Sequence, residues 1–192
     1  MAVGNKTAEK DYALCVAVTD DIVAVGYNSG KVSVYQNTMD KELLVSWKAH
    51  ASSVRSLCFV KSDSEYKKDL VTASDDHQVT QWRLTGNVQA AARSFKGHSD
   101  GVTCVRAKEA FVITSSKDST VRVWNAIEFS SDGESDNDDD SSESVATLHG
   151  HTGIVTCCDL SSCETKALSC GYDRVCCFYR VQSCSYTVFV SV

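Results

Sequence analysis

The sequence predicts an all-β chain assembled from about four copies of one four-stranded unit. Apolar residues alternate or run in stretches of four to seven, rich in Val, Ile, Cys and aromatics and broken by Ser, Asp, Gly and Lys clusters, which is the spacing of short strands. A hydroxyl, an aspartate and an aromatic also recur three times at matching offsets, each set preceded by a histidine. Finally, 192 residues with 43% hydrophobic and 23% charged side chains can bury a core, which excludes disorder along the whole length.

Residues 1–11 precede any strand pattern. Residues 12–48 hold the first unit, with strands read as DYALCVAV, IVAVGY, KVSVYQ and ELLVSW. Tyr35 is its aromatic, but Ser29 stands at the aspartate position and Val25 at the hydroxyl position, so this unit is expected to be degenerate. Residues 49–96 form the second unit (SVRSLCFV, LVTAS, QVTQW, AARSF), marked by His50, Thr72, Asp76 and Trp82. Residues 97–149 form the third, marked by His98, Thr114, Asp118 and Trp124. Residues 150–192 form the fourth, with His151, Ser169, Asp173 and Tyr179, and their tail SCSYTVFVSV suits either a last outer strand or an unrelated extension. Asp76 and Asp118 are 42 residues apart and Asp118 and Asp173 are 55 apart, an excess close to the length of an acidic insert at 130–144.

The recurring residues form a natural hydrogen-bond relay. An indole N–H can reach the hydroxyl, the hydroxyl the imidazole, and the other imidazole nitrogen the aspartate, tying three strands and a turn together. A Ser/Thr, His and Asp set also suits nucleophilic catalysis, but a catalytic set is built once at one cleft, whereas this one repeats in phase with every unit. The structural reading is preferred. Loss of one buried partner would then cost about 1–3 kcal/mol. The fourth unit, with tyrosine for tryptophan, is expected to hold its relay least firmly, and the first to lack one.

These residues resemble the WD-repeat β-propeller family, whose blades of about 40 to 45 residues pair a Gly-His with a terminal Trp-Asp. Gly97-His98 and Gly150-His151 match the first dipeptide, and Ala49-His50 nearly does. The second is altered, because Arg83 follows Trp82, Asn125 follows Trp124, and Tyr179 replaces the third tryptophan. The resemblance covers roughly residues 12 to 181. It implies a propeller of about four four-stranded blades. Seven blades, the usual number in the family, would need roughly 300 residues, so an open or partial propeller is expected.

The resemblance also implies a non-enzymatic scaffold that docks other proteins on its faces. No phosphate-binding glycine loop, metal-ligand spacing or unique acid–base pair is found, so no cofactor and no catalytic residue is expected. The turns after each second strand offer Asp75, His77, Lys117, Ser119, Tyr172 and Arg174 as partner-binding candidates, with Tyr172 and Arg174 first because tyrosine and arginine concentrate at interface centres. Ordinary turn surface is the plainer reading of the six, and His77 is expected to face solvent. The family's ligase-adaptor signature, Trp-Asp-x-Arg, is missing after Trp82 and Trp124. Two other readings stay open: a truncated or partial propeller without independent function, and a small-molecule binder or enzyme using the central channel.

The net charge of −6 is concentrated in SSDGESDNDDDSSES, which leaves the rest of the chain nearly neutral and without a basic block of the kind that tracks nucleic acid. A direct nucleic-acid partner is therefore not expected, nor is a membrane one, since no stretch approaches the roughly twenty consecutive apolar residues that span a bilayer. The acidic segment reads as a solvated, disordered loop or as a docking element regulated by phosphorylation, since Ser131 and Ser135 each have an acid three residues on. It is expected to emerge on the same face as the loop from Lys61 to Asp69. With no export signal read at the N-terminus, the ten cysteines are expected to be thiols packed as small apolar groups, and the protein to be cytoplasmic or nuclear. Open sheet flanks would invite self-association or completion of the ring by another chain.

Overall fold

The computed structural model describes residues 11–60, 68–85, 88–126, 143–182 and 185–191. They form sixteen strands in four antiparallel meanders, and no helix is present among the described residues. The first sheet contains β1 (Ala13–Val18), β2 (Ile22–Tyr27), β3 (Lys31–Gln36) and β4 (Leu43–Lys48). The second contains β5 (Val54–Phe59), β6 (Lys68–Ser74), β7 (Val79–Thr85) and β8 (Val88–Phe95). The third contains β9 (Val102–Ala107), β10 (Phe111–Ser116), β11 (Val121–Asn125) and β12 (Ala146–Leu148). The fourth contains β13 (Val155–Leu160), β14 (Lys166–Gly171), β15 (Cys176–Gln182) and β16 (Ser185–Ser191), so the C-terminal tail does form the last outer strand.

The sheets stack as blades because a single four-stranded sheet cannot bury its own apolar faces. The first strands β1, β5, β9 and β13 lie side by side on the inside of the arc, and three buried clusters fill the spaces between successive sheets. Ala24, Val32 and Val34 meet Val54, Leu57 and Leu70; Val71, Ala73 and Val79 meet Val102, Val105 and Trp124; Ile113 and Val123 meet Val155, Leu160 and Tyr179. Polar rungs add to this along the inner strands. Cys15 donates to the Val54 carbonyl (3.4 Å), Ser56 to Val105 (3.5 Å) and Thr103 to Val155 (2.6 Å). These short side chains join neighbouring blades.

The four blades make an arc and not a ring. On the outer flank of the first blade, Val16 and Val18 are 66% and 65% exposed, with Leu14 beside them. On the outer flank of the fourth, Leu168 and Phe178 are exposed cross-strand partners. The loop from Lys61 and the acidic segment with Ser131 and Ser135 fall outside the described residues, as does Cys184.

Candidate functional site

Each of the last three blades carries the same relay. In the third blade Trp124 Nε1–H donates to Thr114 Oγ1 (2.9 Å), Thr114 Oγ1 lies 2.7 Å from His98 Nε2, and His98 Nδ1 lies 2.8 Å from Asp118 Oδ2. In the second, Trp82, Thr72, His50 and Asp76 give 2.9, 2.8 and 3.1 Å. In the fourth, the Tyr179 hydroxyl meets Ser169 Oγ at 3.1 Å, Ser169 meets His151 at 2.8 Å, and His151 meets Asp173 at 2.8 Å, so a phenol closes the chain that an indole closes elsewhere. A neutral imidazole fits every copy, with Nδ1–H donating to the carboxylate and Nε2 accepting from the hydroxyl.

The sequence pattern suggests three strands and a turn, but the geometry differs. His50, His98 and His151 stand in the connections between sheets, so each relay ties a connection, two neighbouring strands and the turn between them. The aspartate is the knot. Asp118 accepts from His98, from the Ser99 N–H (3.0 Å) and from the Thr120 N–H (2.9 Å); Asp76 does the same with Ala51 and Gln78, and Asp173 with Thr152 and Val175. Burial alone would raise the Asp118 carboxyl, but hydrogen bonds from His98 and Thr120 hold it well below the usual carboxylate range. Asp76 and Asp173 are lowered in the same way against their burial. Burial lowers His50, only partly offset by Asp76, which keeps that imidazole neutral near pH 7.

Two further positions belong to the motif, and both had a readable signal. An apolar residue three places before each histidine packs in the cluster of the relay aromatic: Trp47 meets Trp82 with ring centroids 5.3 Å apart, Phe95 meets Trp124 at 5.4 Å, and Leu148 shares a cluster with Tyr179. The residue after each aspartate adopts left-handed backbone, with φ of 71° at His77, 67° at Ser119 and 65° at Arg174. These three partner-binding candidates thus have a conformational role in the turn as well.

The other candidates divide. Asp75 pairs with Arg55 in its own blade (2.5 Å) and with Lys117 in the next (2.8 Å), which locks adjacent turns together. Lys117 and Arg55 lower the Asp75 carboxyl against its burial. His77 is exposed, 3.8 Å from Asp100. Tyr172, at the position of Asp75 and Lys117, is 74% exposed, and Arg174 beside it is also exposed. Among the described residues no group of three His, Cys, Asp or Glu is arranged to hold a metal ion.

Four-stranded meanders packed through their first strands and tied by a repeated polar relay define a repeat protein of the β-propeller type. The family model described as WD domain, G-beta repeat matches residues 41–83, 90–125 and 142–180, more than half of the chain, and the chain belongs to this family. Three strands of the first blade, β1 to β3, lie outside these matches. The chain is 36% identical over 140 residues to Mitochondrial division protein 1 of Schizosaccharomyces pombe, covering 68% of this chain and 20% of that protein. It is 31% identical over 141 residues to the DDB1- and CUL4-associated factor 11 homolog of Caenorhabditis briggsae, covering 69% of this chain and 24% of that one. The chain therefore spans a fifth to a quarter of the length of these relatives. The solved WD40 β-propeller domain of Doa1 superposes with a TM-score of 0.65 at 23% identity, over 91% of this chain and 52% of that one, which shows the fold. Propellers of this family are generally non-enzymatic scaffolds for other proteins.

Proposed function

We propose that this chain is a protein-docking scaffold whose contact surface is the rim and outer flank of the fourth blade. The observation that carries the reading is the contrast along the rim. Asp75 and Lys117 are consumed by each other between blades, whereas Tyr172 and Arg174, at the corresponding turn of the last blade, are exposed, on a hairpin whose strands carry the exposed apolar pair Leu168 and Phe178. An exposed aromatic and arginine next to apolar surface is the composition of an interface centre. The polar relays serve as rigid support for that rim.

A quantitative pull-down from lysate with the intact chain and with Tyr172→Ala/Arg174→Ala tests this. Partners retained by the first and lost by the second, with no turnover in a broad hydrolase screen, support docking. Partners equally retained by both place the surface elsewhere, and turnover abolished by one point change would make the protein an enzyme. Phosphorylation at Ser131 and Ser135 extends the proposal and is tested by the same pull-down with acidic substitutions there. Two relatives carry DDB1 and CUL4 association in their names; Arg83 and Asn125, standing where the adaptor signature needs aspartate, argue against carrying that role over.

The two apolar flanks favour a second reading, in which further blades from a second copy or another chain cover Val16 and Val18 on one side and Leu168 and Phe178 on the other. Light scattering decides between a 20.9 kDa monomer and a dimer.

A further inference from the structure

The uncovered face of the fourth blade bears a row of thiols that the repeat itself does not require. Cys157, Cys170 and Cys176 stand directly opposite one another on β13, β14 and β15. Directly opposed residues of antiparallel strands share a face. Cys157 and Cys176 are exposed, Cys170 is half-buried, and all three are free. At the ladder position of Cys170 and Cys176 the inner blades carry Ala73 with Val79 and Ser115 with Val121, all buried against the next blade. Packing in this fold is thus satisfied there by residues without sulfur.

The turn brings one pair of the row close together. Gly171 N–H donates to the Val175 carbonyl (3.3 Å), and hydrogen-bonded and non-hydrogen-bonded pairs alternate along an antiparallel ladder. Cys170 and Cys176 are therefore a non-hydrogen-bonded pair, the type with Cα atoms about 4.5 Å apart and side chains close. Disulfides span Cα separations of about 4.4–6.8 Å.

We propose that Cys170 and Cys176 form a modification site, a dithiol that a hydroperoxide converts into a cross-strand disulfide on the exposed flank of the fourth blade. The Cys176 thiolate attacks a peroxide oxygen, the O–O bond breaks, and an alcohol (water, for hydrogen peroxide) leaves with a sulfenic acid formed on Cys176. The Cys170 sulfur then attacks that sulfenic sulfur, the S–O bond breaks, and hydroxide leaves and takes up a proton as water. Two thiols lose two electrons and two protons in all, and one hydroperoxide is reduced. Cys176 and Cys157 are both exposed neighbours of Cys170, but partial desolvation and the nearby Cys104 push Cys157 up to about 11 and keep it protonated, which leaves Cys176 as the attacking thiol. The new bond closes the loop from Cys170 to Cys176, which contains Tyr172, Asp173 and Arg174, and so stiffens one turn of the rim.

The test uses the full chain with Cys163→Ser, which removes an exposed loop thiol capable of cross-linking copies. The protein is treated with hydrogen peroxide, remaining thiols are alkylated, and tryptic peptides are mapped without reduction. Cleavage after Arg174 puts Cys170 and Cys176 on separate peptides, so their bond appears as a linked pair that dithiothreitol splits. The expected result is that linked pair, with fragment ions placing the bond at Cys176 and not at Cys177, and its complete loss in Cys176→Ser. Because Cys176 is exposed, an unchanged thermal midpoint of the reduced variant separates lost chemistry from lost folding. Both cysteines recovered as alkylated peptides, Cys170 linked instead to Cys157, or a linked pair persisting in Cys176→Ser would each overturn the proposal.

Discussion

The first blade and the three that follow share one strand plan but are held by different means. At the aspartate position the first blade has Ser29, whose hydroxyl accepts the Lys31 N–H (3.4 Å), the turn-making half of what Asp76, Asp118 and Asp173 do. At the hydroxyl position it has Val25, and Tyr35 at the aromatic position turns instead to the Tyr27 hydroxyl (3.2 Å). It also has Gly30, with φ of 83°, where the others strain His77, Ser119 and Arg174 into the same left-handed backbone. The blade still folds, with Ala24, Val32 and Val34 buried against the second. Apolar stacking is thus sufficient to form a blade, and the relay adds rigidity to the turn.

Asp118→Ala should break the comparison most visibly, by leaving His98 Nδ1–H and two backbone N–H groups without an acceptor; chemical denaturation should show a loss of about 3 kcal/mol. Ser29→Ala should cost less than about 0.5 kcal/mol, and equal losses would refute the difference drawn between the blades. Tyr179→Phe should cost about 1 kcal/mol, the value of one hydrogen bond to Ser169.

Acid should act on the relays in two stages. His50 has a folded-state value below its unfolded one, so its contribution is lost as pH falls below about 6.5. Asp76, Asp118 and Asp173 are lowered on folding, so their contribution is complete above about 4 and is lost below that as they protonate. Thermal midpoints measured across pH 2–8 should fall gently and then steeply, with the steep stage reduced in Asp118→Ala. A midpoint independent of pH below 4 would show that the carboxylates are not coupled to folding.

A further pair of effects concerns the left-handed turn. Ser119→Gly should stabilise by about 0.5 kcal/mol by relieving left-handed backbone. Gly30→Ala should destabilise by about 1 kcal/mol or more, because a Cβ there would press on the His50 carbonyl as well as adopt positive φ. Opposite signs at these two sites, read from denaturant midpoints, would sharpen the comparison; the same sign would remove its basis.

Much of this was legible in the chain. Strands show as runs of Val, Ile and Cys between polar turns, and the hydroxyl, aspartate and aromatic of each relay recur at fixed offsets because they belong to one hairpin whose local geometry repeats; the histidine, across a connection of variable length, does not. Trp47, Phe95 and Leu148 were equally regular, three places before each histidine, but they pack across the gap between sheets and so belong to no single unit of the pattern. The rim was not legible. Asp75, Lys117 and Tyr172 occupy one turn position, yet only the first two find a partner, because an ion pair between blades requires a neighbour on the correct side.

Local spacing, through the two-residue period of a strand and the donor and acceptor inventory of His, Thr, Asp and Trp, was enough to determine the blades and the polar chains that tie their turns. Stacking decided which surface stays open, which charges are spent between blades, and that Cys157, Cys170 and Cys176 share an exposed face. Those outcomes depend on cross-strand register and on which sheet covers which, and residues far apart in sequence settle both only when the sheets come together.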